Sequence, residues 1–284
     1  MTAAVVVAPP SAWQRASRSG GLVIGLVIAL AMVAIAIAAP WIAPFDPNEQ
    51  NVLLKLEPPS VAHLFGTDEF GRDVLSRVIF GARISLFIGA FATSAGVLIG
   101  TVIGVVSGYF GGLVDRLITA ATDVLLSFPQ LIMGLMLVAV LGANLFNLIL
   151  AIAITAVPAF IRVARASTLA MKERDFVDAC RALGFGNPRI MFLHVLPNIM
   201  DEVVVMGSLW FAAAIRTEST LAFIGLGVPP PTATWGGIIR DGFDNLLDAS
   251  WLSVFPSLAI LAIMIALNLI GDGLRDATDP RAPQ

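Results

Sequence analysis

Six runs of apolar residues, each roughly 18 to 26 residues long, dominate this chain, and that is the length a helix needs to cross a ~30 Å hydrocarbon layer. They fall at about 22–43, 84–107, 125–142, 146–164, 203–225 and 251–270. A segment inside lipid must satisfy its backbone N–H and C=O groups internally, so blocks of this length fold as helices. The expectation is an all-α, polytopic membrane helix bundle with six transmembrane helices. Composition agrees: 57% of the 284 residues are hydrophobic and 13% charged, against about a quarter charged in soluble domains. A water-soluble enzyme does not fit. Pro129 and Pro158 fall inside or at the edges of these blocks, where neighbouring helices can satisfy the freed carbonyls.

The first block follows Arg15 and Arg18 and ends in Ala36-Ile37-Ala38, a pattern shared with cleaved signal peptides. Its apolar run continues through Trp41 and Ile42, beyond the ~7–15 residues of a signal h-region, so a retained helix is expected. A net charge of −3 offers no polybasic surface, and nucleic acid is dropped as a partner. Cys180, the single cysteine, cannot form an internal disulfide. His63 and His194 have no ligand-like spacing to it, so no metal site is expected.

Direction follows from the basic residues. With the amino terminus inside, five of the 17 Lys and Arg (Lys55, Arg72, Arg77, Arg83 and Arg240) fall outside and Arg216 lies within a span. The remaining eleven face the cytoplasm, which places both termini there by the positive-inside rule. Arg72, Arg77 and Arg83, close to the second block, oppose that assignment. The resulting division is a cytoplasmic tail 1–21, an N-terminal transmembrane helix 22–43, an extracytoplasmic segment 44–83, a core transmembrane domain 84–274 containing a cytoplasmic loop 165–198, and a cytoplasmic tail 275–284.

Within the second block, Gly96, Gly100, Gly104 and Gly108 recur every fourth residue. Four missing side chains on one helical face let another backbone approach closely, so this face is read as a packing face, with a substrate-lining role as the alternative. From Leu113 to Leu126 an apolar stripe (Leu113, Leu117, Ile118, Ala121, Val124, Leu125) opposes Asp115, Arg116, Thr119 and Thr122, which suits a helix running along the inner interface before Pro129. Val74, Leu75, Val78 and Ile79 after Asp73 predict a short helix in the outer interface. The three prolines at 229–231 favour stiff, extended backbone. Such external elements either receive a solute-binding protein or brace the helices.

The loop between the fourth and fifth blocks is the most basic internal one. Asp175 can cap a helix start, Asp178 sits in the first turn, Arg181 follows toward the carboxyl end, and Gly184 supplies a left-handed stop. A short helix with Phe176, Cys180 and Leu183 as its apolar stripe is expected. Asn187-Pro188 then starts a second short helix that runs toward Pro197. By itself this is equally an ordinary interfacial loop packed on its own bundle.

Asp178-Ala179-Cys180, then Gly184 after three intervening residues and Leu196-Pro197 after eleven more, resembles the "EAA…G…LP" loop of bacterial ABC importer permeases. The chain departs from that pattern with Asp for Glu, Cys for the second Ala, and His194 at a commonly aliphatic position. The ending His194 to Asn198 is similar to the peptide-importer branch. Gly66-Thr67-Asp68, Gly71-Arg72-Asp73, Ser76-Arg77 and Gly81-x-Arg83-x-Ser85 resemble the signature of the "C"-type oligopeptide and dipeptide permeases. So do Glu218-Ser219, Phe223 to Gly227, Pro229 to Pro231, Trp235-Gly236 and the ending Gly271 to Asp276.

The resemblance implies a MetI-like core of five helices preceded by an N-terminal helix. It also implies a multi-pass location in the bacterial inner membrane and a "B"-type homologous permease as heterodimer partner. Two ABC ATPase subunits or domains and an extracytoplasmic solute-binding protein would complete the complex. The cytoplasmic loop would be the coupling helix, docked on the ATPase through Asp178, Ala179 and Gly184, with Cys180, Leu196 and Pro197 in the same motif. Gly66, Thr67, Asp68, Gly71, Arg72, Asp73, Pro229, Pro230 and Trp235 would form the extracytoplasmic signature.

Lys55 and Lys172 are the only lysines, and neither sits in Gly-Lys-Ser/Thr, so the chain has no P-loop. No cofactor is expected on this chain, and ATP and magnesium belong to partner subunits. The chain is then no enzyme, and its role would be alternating access driven from outside. An ion-coupled secondary transporter is the alternative, with Arg216 and Glu218 as its intramembrane ionisable groups. Two residues apart on a helix, they point about 200° away from each other and each needs another partner. Both are candidates for the translocation path, and a structural ion pair is the competing role for Arg216. An intramembrane hydrolase lacks a Gly-x-Ser-x-Gly elbow. Oligopeptides or dipeptides lead as substrates, with nickel chelates, glutathione and some sugars open in the same branch.

Overall fold

The computed structural model describes residues 20–278. The tails expected at 1–21 and 275–284, with Arg15, Arg18 and Arg281, lie outside the described residues in all but their inner ends. Nine helices are named below: α1 Gly20–Ile42, α2 Val74–Phe110, α3 Gly112–Leu126, α4 Gln130–Leu141, α5 Leu145–Lys172, α6 Asp175–Ala182, α7 Met200–Ile224, α8 Trp235–Phe243 and α9 Trp251–Thr278. Among the described residues there is no named strand, only an isolated antiparallel bridge between Thr67 and Asp73.

Five helices are long and apolar enough to cross a membrane alone, and α3 with α4 form a sixth, broken element bent by 89°. The bend lies at Ser127-Phe128-Pro129, because Pro129 has no N–H to continue the ladder and disfavours helical backbone at the residue before it. The third predicted span, 125–142, is therefore not one straight helix. At 12 residues α4 is about 18 Å long, short of the hydrocarbon thickness by itself.

The outer segment differs from expectation in the same direct way. No separate interfacial helix forms after Asp73. Asp73 caps α2, its carboxylate accepting from the Ser76 backbone N–H at 2.8 Å and from the Ser76 hydroxyl at 2.7 Å. From there α2 runs uninterrupted for 37 residues, about 55 Å. Val74 and Val78 lie in the bundle's core with Ala36 of α1, Ile215 of α7, Trp235 of α8 and Leu252 of α9. With Val74, Ser76, Arg77 and Val78 all buried, this turn has no reason to lie flat on an interface.

The glycine stripe packs α2 on α5, the most extensive helix pairing in the chain. A Cβ on Gly100 would stand 2.6 Å from the Phe160 Cβ and 2.7 Å from the Val157 carbonyl oxygen. One on Gly104 would meet the Ile161 carbonyl oxygen at 2.6 Å, and one on Gly108 the Arg165 carbonyl oxygen at 2.8 Å. Backbone thus lies on backbone along the carboxyl-terminal half of α2, as small-residue packing requires in lipid. The apolar stripe of α3, in contrast, is exposed at Leu113, Leu117 and Val124, whereas Thr122 is buried and Asp115 turns inward to Arg165.

Candidate coupling and translocation surfaces

α6 forms as its sequence dictates. Asp175 and Asp178 occupy the first turn and Arg181 the last, each complementing the helix dipole. Gly184 ends it at φ +77°, a conformation that costs a side chain about 1–2 kcal/mol. The Gly184 N–H donates to the Arg181 carbonyl at 2.9 Å and the Phe185 N–H to the Cys180 carbonyl at 3.1 Å, closing a Schellman turn. Two details differ from the sequence reading. Arg174, not Asp175, stands at the N-cap, and no side chain caps it. The buried face is Val177 with Cys180, while Phe176 and Leu183 are exposed.

The following segment differs as well. Asn187–Arg189 opens a turn that passes through a π turn at Ile190–Val195 and a 3-10 turn at Leu196–Ile199 straight into α7. The continuous stretch Asn187–Ile224 is one 38-residue span, so no short helix stops at Pro197. Pro197 lies in the tight turn, where its missing N–H is absorbed by the change of helical type.

The six residues of the expected coupling motif consequently divide. Asp178, Ala179, Gly184 and Pro197 are exposed. Cys180 is buried, and Leu196 is half-buried against the cluster of Val105, Tyr109, Ala164, Val177, Ile190, Met191, Val195 and Ile199. Cys180 therefore packs inward as a small apolar side chain. Arg181 bonds Asp178 at 2.9 Å and lies 5.9 Å from the Tyr109 ring centroid. Tyr109, and then Asp178, hold the Arg181 guanidinium pKa above its ordinary value. The Tyr109 hydroxyl donates to Asn187 Oδ1 at 3.1 Å.

On the opposite side the signature residues converge. Arg72 Nε donates to Asp68 Oδ2 at 2.6 Å, and Arg77 Nε lies 3.5 Å from the same oxygen. Both guanidinium groups reach Asp241 of α8, at 3.6 and 3.5 Å. Two arginines and two aspartates form a neutral, largely buried quartet that ties α2 to α8. Asp241 is the member with no local sequence signal. Burial raises its carboxyl pKa, outweighing the opposing pull of Arg77 and Arg72, and Asp68 adds to the rise. Asp73 also accepts from His63 Nδ1 at 2.9 Å, a histidine that spacing alone left without a role.

Thr67 ties this segment to two others: its hydroxyl donates to the Leu54 carbonyl, and its own carbonyl accepts from Trp251 Nε1 at 3.1 Å. Gly66 and Gly71 carry the positive φ of its turns. Trp235 is fully buried, its Nε1 donating to the Val78 carbonyl at 3.0 Å and its backbone N–H to the Ser85 hydroxyl at 3.3 Å. These side chains brace the ends of the helices they join. Pro229 and Pro230, in contrast, line a cavity of about 170 Å³ with Arg77, Arg240 and Asp241. The Pro230–Pro231 peptide is cis and lies in a turn, so the proline run is not uniformly extended.

Arg216 and Glu218 are kept apart. Glu218 is completely buried; its Oε2 accepts from the Ser219 hydroxyl at 3.2 Å, and Ser85 and Thr234 are its other polar neighbours. Glu218 thus sits inside the chain's own packing. Arg216 is exposed and makes no ion pair among the described residues.

Comparison with known proteins settles what this arrangement belongs to. Residues 100–283 match the family described as binding-protein-dependent transport system inner membrane component. The chain belongs to that family. Residues 11–59 match the N-terminal transmembrane domain of oligopeptide transport permease C. The chain is 42% identical to a di/tripeptide transport system permease of Pseudomonas aeruginosa, covering 95% of this chain and 91% of the relative. It is 40% identical to a dipeptide transport permease of Haemophilus influenzae, over 96% and 94% of the two chains. It is 38% identical to a glutathione transport permease of Pectobacterium atrosepticum, over 95% and 90%. As a member of this family the chain is a multi-pass ABC permease of the bacterial inner membrane.

Proposed function

We propose that this chain is the C-type half of an ATP-driven importer of short peptides. Relatives named for dipeptides, di/tripeptides and glutathione support the substrate class, since each of those solutes is a short peptide with free carboxylates. The observation that carries the coupling role is the exposure of Asp178, Ala179 and Gly184 on a capped helix. A helix anchored by Val177 and Cys180 presents those residues outward, where a cytoplasmic ATPase subunit can seat them.

In this reading both termini are cytoplasmic, and a B-type permease supplies the other half of the path. Two ATPase subunits or domains bind ATP and magnesium, and an extracytoplasmic binding protein delivers the peptide. A state change requires a ligand that binds one state better than the other, and ATP on one side and loaded binding protein on the other provide it.

Arg216 is assigned to the path. A guanidinium facing lipid with no counter-charge is costly, whereas water or a passing carboxylate satisfies it. Uptake of a labelled dipeptide into vesicles holding the complete complex tests the proposal. Accumulation should persist with ATP when ion gradients are collapsed, and should stop when ATP is withheld. Accumulation that follows an ion gradient without ATP overturns it in favour of ion coupling.

A further inference from the structure

Tyr109 is the only tyrosine in the chain, and it stands where α2 ends. The coupling loop has two limbs, α6 and the segment that starts at Asn187, and Tyr109 touches both. Its hydroxyl donates to Asn187 Oδ1 at 3.1 Å, across 78 residues of sequence. Arg181 of α6 lies 5.9 Å from the ring centroid, within cation–π range, and that same Arg181 bonds Asp178 at 2.9 Å. The ring itself is buried with Val105, Ala164, Val177 and Cys180.

The apolar part of this contact attracts but does not orient. Val177 and Cys180 alone give α6 one greasy side on which it can roll, because hydrophobic burial is non-directional. Hydrogen bonds are directional, and with the Arg181 guanidinium near the ring they fix which way Asp178 and Ala179 face.

From Tyr109 the connection continues outward through one unbroken helix. α2 is laid against α5 along its glycines and reaches Trp235, which bonds Val78, and the quartet around Asp68 and Asp241. We infer that Tyr109 is a positioning residue that locks the coupling helix to the inner end of α2, so that displacement of α6 is carried to the outer mouth with little loss. This rests on the reading of α6 as the ATPase contact.

The test measures labelled dipeptide accumulated per ATP hydrolysed in vesicles containing the whole complex, for wild type, Tyr109→Phe, Asn187→Ala and the double variant. Tyr109→Phe keeps the ring and removes only the hydroxyl. Solute moved per ATP should fall about threefold to tenfold, the range one neutral hydrogen bond commands, while the amount of assembled complex stays constant. Asn187→Ala, at an exposed position, should fall similarly, and the double variant should fall no further than either single one.

An unchanged ratio in both single variants overturns the proposal, as do additive losses. A loss that merely tracks reduced assembly in both variants overturns it too. If wild type itself shows no ATP-dependent uptake, it is the importer reading that fails.

Discussion

Arg216 and Glu218 are two residues apart on α7 and occupy opposite environments: Glu218 is wholly inside the packing with its Oε1 lacking a hydrogen-bond partner, and Arg216 is exposed. A helix places such residues on nearly opposed faces, so one sequence motif serves two purposes. The inner residue holds α7 beside Ser85 of α2 and Thr234 at the start of α8. The outer one faces whatever fills the space beyond the chain.

Their substitutions should fail differently. Glu218→Ala takes the acceptor from the Ser219 hydroxyl and leaves a void, so the purified complex should lose about 2–4 kcal/mol of stability. Arg216→Leu should leave thermal unfolding and assembly near wild type while peptide uptake drops at least about tenfold, the worth of one charge-assisted contact. Loss of assembly in Arg216→Leu would place an acidic group of another subunit opposite it and remove it from the path.

Gly100 and Gly207 make a matched pair for the packing argument. Gly100→Ala has no room, with Phe160 and Val157 both closer than 3 Å to the new carbon, and overpacking of this kind costs about 1–3 kcal/mol. Gly207→Ala meets only the Val97 Cγ2, at 3.6 Å, and should be neutral or gain up to about 1 kcal/mol from helix propensity. Thermal midpoints of the two variants in detergent measure the difference.

Much of this architecture is legible without coordinates, for a physical reason. Span positions follow from hydropathy, and the α2–α5 seam follows from a repeat of four, because both signals are local and periodic. The break at Pro129 was visible as a proline but not as a right-angle turn, since the sequence does not say whether neighbours will hold the helix straight. α6 is legible as a helix, but of its expected apolar stripe only Cys180 is buried, with Val177 in place of Phe176 and Leu183. Phe176 and Val177 flank Cys180 on either side of the helical wheel, and only Tyr109 and Ile190, from distant segments, decide between them. Asp241 joining Arg72 and Arg77, and Asn187 joining Tyr109, have no local signature at all.

The quartet predicts a pH response. Burial raises the Asp241 carboxyl pKa above its ordinary value, so the folded protein holds that proton more tightly than the unfolded chain does. Stability from this group is then fully present below the unfolded value of about 3.9 and is lost as pH rises through the raised folded value. Asp241→Asn removes the titration. As pH rises above about 4 the wild type should show a declining component in its thermal midpoint that the Asn variant lacks, and parallel profiles would contradict the assignment.

Adjacent positions on α6 separate docking from folding. Ala179 is exposed and Cys180 is buried beside Val177 and Tyr109, although both fall in the same loop motif. A charge at position 180 must be buried without a partner, which costs several kcal/mol, so Cys180→Asp should unfold the loop and lower the yield of the membrane unit itself. Ala179→Asp adds its charge at the surface, where the fold is indifferent to it. Its membrane unit should melt as wild type does, yet retain at least about tenfold less ATPase subunit on affinity purification, because a desolvated charge at an interface is worth more than 1.4 kcal/mol. Equal retention of the ATPase by Ala179→Asp would mean that α6 faces solvent in the assembled importer and that the engine grips the chain elsewhere.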